Sequence, residues 1–166
     1  RQLRLMPSTW RSATIGGFVA GGSGGIGSLR WGFLRDPGHL LGMEVVPLCP
    51  AAHRHQIGEM DAEALNHAYG TNGIITALSL ATAPAVNWHQ VSLDCEGWEQ
   101  AIELMHRIAA SAVNLHLVTL LEQPLLSRMP GWGGPAVSSH RLLVLVAPDG
   151  LNSLHRMAQS AGAILR

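Results

Sequence analysis

Pro7-Ser-Thr-Trp-Arg-Ser-Ala-Thr-Ile-Gly-Gly-Phe-Val-Ala-Gly-Gly-Ser-Gly24 is the stretch on which the reading of this chain turns. Gly16, Gly17, Gly21, Gly22, Gly24, Gly25 and Gly27 crowd into it and the few residues beyond, whereas glycine is sparse after Gly73. The intervening residues, Ile15 to Ile26, are too apolar for a flexible linker. They read as a tight backbone path that something must approach closely. Outward from this run come Arg30-Trp-Gly, then Asp36, then Met43-Glu-Val-Val-Pro-Leu48, a strand whose proline suits a sheet edge. Further on stands Tyr69-Gly-Thr-Asn-Gly-Ile-Ile-Thr76, opening a half-buried strand over 74–82 that Pro84 ends. Asp61 to Tyr69 reads as a short helix, with Asp61 as N-cap and Gly70 as stop.

Composition removes many functions. The 166 residues include eleven arginines, no lysine, eleven acids and nine histidines, for a net charge of zero. Only 13% are charged and 47% are apolar, so neither a nucleic-acid face nor a disordered tail is expected. Mean hydropathy is +0.18, but no apolar stretch approaches the roughly 18 residues of a membrane span. Without lysine there is no GxxxxGK[ST] phosphate loop and no Schiff-base chemistry. Cys49 and Cys95 are too few for a disulfide framework. The chain opens without a start methionine or a signal-peptide pattern, which reads as a piece of a longer chain residing in the cytoplasm.

Two families are resembled. Ala20-Gly-Gly-Ser-Gly-Gly-Ile-Gly27 looks like the GxxxGIG loop of short-chain dehydrogenases, but the flanks break that context. A poor, glycine-bearing strand precedes it, Gly32, Pro37 and Gly38 interrupt the residues after it, and the Tyr-xxx-Lys pair is impossible. The longer run resembles the second FAD-binding subdomain of the vanillyl-alcohol oxidase and p-cresol methylhydroxylase flavoproteins, in the branch of glycolate oxidase and D-lactate dehydrogenase. Their pattern is a proline, a Thr-Ile-Gly-Gly, a small-residue turn, an Arg-Tyr-Gly, an Asp and a Glu-Val-Val strand. Here Trp31 stands for the tyrosine. Residues 69–76 resemble the family's Glu-Gly-Thr-Leu-Gly-Ile-Ile-Thr, with Tyr69 and Asn72 replacing the acid and the leucine.

The resemblance implies an FAD cleft lined by Pro7, Ser8, Ala13, Thr14, Gly16, Gly17, Ala20, Gly21, Ser23, Gly24, Gly70, Thr71, Gly73, Ile74 and Ile75. Such a cleft needs backbone N–H donors for two phosphates and an apolar wall for a flat ring, which this composition supplies without lysine. It implies an FAD-dependent oxidoreductase acting on CH–OH groups, passing hydride from a small 2-hydroxy acid such as glycolate or D-lactate to flavin. The partners expected are that substrate and the remaining segments of the longer chain, namely the first FAD subdomain and the rest of a cap; the segment alone is expected to be inactive. The alternative is a truncated or diverged relative that binds or assembles without catalysing. No catalytic residue and no metal ligand is assigned: Cys49, His53 and His55 read as a polar loop with no convincing fourth ligand.

From about Val86 the character changes. Strands over 88–94, 115–121 and 141–147, helices over 98–110 and 151–161, a short helix over 122–128 and a loop over 132–135 form a ferredoxin-like α+β plan. The apolar stripe of the first of these helices is Ala101, Ile102, Met105, Ile108 and Ala109. The fold expected is therefore α+β: residues 1–85 as the second half of a p-cresol methylhydroxylase-type FAD-binding domain, mixed or antiparallel sheet with helices, and residues 86–166 as part of a ferredoxin-like substrate cap.

Overall fold

The computed structural model of the chain describes all residues except Ser23, Ala51 and 133–137. Ser23 and most of the 132–135 loop therefore lie outside the described residues. The chain divides into two compact units, Arg1–Ala85 and Val86–Arg166, each with its own apolar core.

In the first unit, β2 (Leu40–Pro47) is the central strand, flanked antiparallel by β3 (His55–Gly58) and β4 (Gly73–Leu80). Burial along β2 takes up Leu40, Met43 and Val45, which join Leu5, Phe18, Val19 and Leu34 in the core. A β-bulge at Thr76 shifts the β2–β4 register. The chain start, β1 (Gln2–Leu3), pairs with β5 (Thr82–Ala83) in a separate two-stranded ribbon. Two helices cover this unit, α1 (Ile15–Gly21) and α2 (Ser28–Trp31), and a third, α3 (Glu59–Ala62), follows β3.

Three local expectations change here. Most of the Thr-Ile-Gly-Gly run, read as a tight backbone path, is helix α1. The helix over 61–69 is one turn at Glu59–Ala62 with Gly58, not Asp61, as N-cap, because His67 and Tyr69 take left-handed backbone (φ 64° and 53°). Residues 55–58, read as part of a loop, are a hairpin strand.

In the second unit the order is β6 (His89–Cys95), α4 (Trp98–Ala109), β7 (Leu115–Leu121), α5 (Gln123–Leu126), β8 (His140–Val146), α6 (Leu151–Ser160) and β9 (Ile164–Leu165). The strands lie β7-β8-β6-β9, every neighbouring pair antiparallel. That is the ferredoxin-like arrangement, in which β6-α4-β7 is a split crossover with β8 inserted between its strands. Strand β9 adds a two-residue edge that the sequence pattern does not mark. On α4 the fully buried positions are Ala101, Leu104 and Ile108, a stripe shifted toward Leu104 from the one expected. The Gln100 side chain accepts the Gly97 N–H at 3.3 Å and donates to the Ala161 carbonyl at 2.5 Å, fastening α4 to the end of α6. Among the described residues no helix is long and apolar enough to cross a membrane.

Candidate functional site

Helix α1 forms despite three glycines in seven residues, each costing about 1 kcal/mol of helix propensity relative to alanine. Its ends and its buried face compensate. Thr14 is the N-cap, its Oγ1 accepting the Gly17 N–H at 3.0 Å. Phe18 and Val19 are buried in the core. Gly22 closes the helix in left-handed geometry (φ 58°), its N–H donating to the Phe18 and Val19 carbonyls. At the base, Met6 and Ile26 exchange backbone hydrogen bonds at 3.1 and 2.8 Å, which pins the residue before the run to the residue after it. Gly25 is required there, since a Cβ would stand 2.3 Å from the Met6 carbonyl oxygen.

The downstream motif is tied to this helix through the backbone. The His67 N–H donates to the Val19 carbonyl at 3.1 Å, which already takes the Gly22 N–H, and the Tyr69 N–H donates to the Ala20 carbonyl at 2.9 Å in the last turn of α1. His67 Nε2 and the Tyr69 hydroxyl are 2.8 Å apart, which links the two left-handed residues through their side chains. A Cβ on Gly22 would fall 2.3 Å from His67 Cβ, so only glycine permits this approach. Two motifs about 50 residues apart in sequence thus meet at one helix end.

Beside the other end of α1 lies a cavity of about 390 Å³, walled by Leu3, Ile15, Gly16, Ile75, Leu78 and Thr82, among others. Its surface is mainly apolar. The N–H groups of Ile15 and Gly16, in the first turn, have no acceptor within the helix. Nothing lies within 4 Å of a Cβ built on Gly16, so the missing side chain leaves open space at the cavity wall.

Of the residues the sequence singled out, Gly16 and Ile75 line this cavity, and Thr14 and Gly17 form the cap beside it. Ala20 and Gly21 sit in the last turn of α1, Ala20 bound through its carbonyl to Tyr69. Pro7 and Ala13 belong to turns stabilised by Trp10 N–H to the Pro7 carbonyl and Ala13 N–H to the Thr9 carbonyl; Ser8 and Ala13 are exposed. Gly24, Gly70, Thr71 and Ile74 are exposed. Gly73 is buried for a reason of its own: a Cβ would stand 2.7 Å from the Val46 carbonyl oxygen across the sheet. The expectation of open glycine donors changes in part, because the N–H groups of Gly17 and Gly22 are already bound within the protein. Sequence reasoning missed Leu3, Leu78 and Thr82 as wall residues and His67 as the clamp, since no local pattern marks a left-handed histidine.

A second groove, of about 640 Å³, lies between the 111–114 turn and α6 in the second unit. It is larger but contains none of the residues singled out, and its lining of Ser111, Asn114, Ser153 and Arg156 shows no convergent chemistry. Among the described residues no three His, Cys, Asp or Glu side chains converge as a metal site.

Against solved structures, the chain matches alkyldihydroxyacetonephosphate synthase in two crystal forms. One match has a TM-score of 0.76 at 14% identity over 98% of this chain, the other 0.76 at 16% over 99%. The chain shares the fold of this synthase. It is α+β, antiparallel sheets with few helices, the second unit ferredoxin-like. It spans 35% of the length of each synthase chain. No protein-family model matches the sequence, and no curated protein does.

Proposed function

We propose that the chain is part of an FAD-dependent oxidoreductase that oxidises a small 2-hydroxy acid of the glycolate or D-lactate type. Residues 1–85 serve as the second half of the FAD-binding domain and residues 86–166 as part of the substrate cap. The observation that carries this reading is the meeting of the two motifs at α1, with Tyr69 bound to Ala20 and Gly16 opening onto an apolar cavity. The shared fold is consistent with it.

The residues present fit part of such a cofactor. Ile15, Ile75 and Leu78 offer an apolar wall, and the first-turn N–H groups of α1 can donate to polar oxygen. FAD, when bound, supplies the hydride acceptor. The chain's own residues would hold and orient it and exclude water. One observation favours the non-catalytic alternative: Gly17 and Gly22 already use their N–H groups inside the fold.

The test is to express the chain with its native flanking sequence and look for flavin absorbance that co-purifies with it. A product that stays colourless after refolding with FAD rejects the enzymatic reading. Gly16 supplies a sharper version. Gly16→Leu fills the cavity from a helical position with room for a side chain. It is expected to abolish flavin retention while the melting temperature holds or rises, since leucine is the better helix former by roughly 0.5–1 kcal/mol. Retained flavin in Gly16→Leu would place the cofactor elsewhere.

A further inference from the structure

At Asn72 the downstream glycine motif departs from the pattern it resembles, and the residue that stands there brings a reactivity of its own. Of the five asparagines in the chain, only Asn72 is followed by a glycine. The carboxamide carbon of an asparagine and the backbone nitrogen of the next residue are spaced to close a five-membered ring. A following glycine has no Cβ to obstruct that closure.

Asn72 is exposed and lies between a fixed turn and the start of β4. On one side, the Thr71 N–H donates to the Ala68 carbonyl at 3.0 Å and the Thr71 hydroxyl to the same oxygen at 2.7 Å. On the other, β4 opens with Gly73 opposite Pro47. Proline has no N–H, so this last rung of the β2–β4 ladder lacks any bond donated by residue 47. A strand end held by fewer bonds opens first. Gly73 itself is buried, and this local opening is what brings its N–H to solvent.

Two contacts hold the Asn72 carboxamide. Its Nδ2 donates to the Ala64 carbonyl at 3.1 Å, and its Oδ1 lies 3.3 Å from the Thr71 hydroxyl. That hydroxyl has one proton and two acceptors within reach. Negative charge developing on Oδ1 draws the proton away from the neutral Ala68 carbonyl, because a hydrogen bond to an ionised acceptor is the stronger. Thr71 is therefore placed to stabilise an oxyanion on its own neighbour.

We propose that Asn72 is a site of self-modification, at which the Gly73 nitrogen displaces the side-chain amide while the Thr71 hydroxyl steadies the oxyanion. The Gly73 N–H gives its proton to hydroxide from solvent, the nitrogen bonds to Asn72 Cγ, and an electron pair moves onto Oδ1. Collapse of the oxyanion breaks the Cγ–Nδ2 bond, and Nδ2 leaves as ammonia with a proton from water. A water molecule then opens the succinimide at either carbonyl, giving aspartate or isoaspartate. The balance is asparagine plus water to aspartate plus ammonia, with no change of oxidation state. The product has an acceptor where Nδ2 donated to Ala64, so that tie is lost and the strap carrying Tyr69 loosens from Ala20. The site is independent of the flavin reading.

The experiment incubates the folded chain in H₂¹⁸O at mildly alkaline pH and maps conversion by peptide mass spectrometry, beside the isolated peptide of residues 69–76. Conversion with uptake of heavy oxygen is expected at Asn72 and at none of Asn66, Asn87, Asn114 and Asn152. Thr71→Val is expected to slow it severalfold in the folded chain, and Thr71→Ser, which keeps the hydroxyl, to restore the parent's rate. Asn72→Asp stands for the product and should speed hydrogen exchange of the Tyr69 amide, while the amides of the second unit keep their protection. The proposal is overturned if Asn72 stays intact in the folded chain while the peptide converts, or if another asparagine converts as readily. It is equally overturned if Thr71→Val converts as fast as the parent, or if Asn72→Asp leaves the Tyr69 exchange rate unchanged.

Discussion

Gly22→Ala is expected to destabilise the first unit by about 3 kcal/mol, and to do so by parting the two glycine motifs rather than by weakening α1. Two penalties coincide at this position. The left-handed backbone (φ 58°) disfavours any Cβ, and that Cβ would fall 2.3 Å from His67 Cβ and 2.7 Å from His67 Cα. Backbone and Cβ of His67 cannot rotate away as a flexible side-chain end could. His67 is itself left-handed and bound to the Val19 carbonyl at 3.1 Å, so relief requires the 67–69 strap to lift. Lifting it also costs the Tyr69-to-Ala20 hydrogen bond. Hydrogen exchange of the His67 and Tyr69 amides should accelerate with the loss of global stability of residues 1–85, while the second unit's amides keep their protection. Gly24→Ala is the control, because its Cβ would meet only Ser28 Oγ at 3.5 Å and the Phe33 ring at 3.7 Å. Equal behaviour of the two variants would remove the basis for a clamp.

Whether an element is disclosed or hidden by the sequence depends on the range of the interactions that form it. Strands β4, β6, β7 and β8 are legible because apolar and β-branched residues alternate or cluster in them, and the α4 face is legible from its 3.6-residue repeat. Helix α1 is concealed by its glycines, whose propensity argues against it, although Thr14 and Gly22 stand at its ends as ordinary cap residues. Their signal is weak until Phe18 and Val19 have a core to enter. Strand β9 is too short for any pattern; it exists because Ile164 and Leu165 find the free edge of β6. Within the candidate site, the motif spacing brings Gly16 and Ile75 into view. The left-handed His67 and the cavity wall contributed by Leu3 and Thr82 are long-range consequences, visible only once β1 has paired with β5. The same holds for the pairing of Asp94 with Arg141, which lie in neighbouring strands at directly opposed register positions.

That pair carries the other large expected effect. Asp94 is 3% exposed, and its carboxylate accepts from Arg141 Nε at 2.6 Å and Nη2 at 3.0 Å, with Arg166 Nε at 2.5 Å on the second oxygen. Arg141 also donates to the Trp132 carbonyl at 2.9 Å, so its planar fork is fixed from both sides. Burial pushes the Asp94 carboxyl upward, but the hydrogen bond and charge of Arg141, followed by those of Arg166, outweigh it and hold the group below the ordinary carboxylate range. Arg141 is correspondingly held above its usual range, first by the hydrogen bond to Asp94. Asp94→Ala leaves the largely buried guanidinium of Arg141 without a counter-charge and is expected to cost the second unit about 3–5 kcal/mol, read by urea unfolding. Arg166→Ala should cost under about 1 kcal/mol, because that side chain is 63% exposed and solvent screens its charge. The pH dependence comes from the sign of the shift. A carboxyl depressed in the folded state contributes stability that is fully present above its unfolded value of about 3.9 and is lost as pH falls through the lower folded value. The second unit's stability should therefore fall in acid along a limb that Asp94→Ala abolishes and Arg166→Ala only shallows. If the Asp94→Ala chain kept the parent's acid limb, the stabilising charge would have to lie elsewhere, and the bidentate contact would be packing rather than an ion pair.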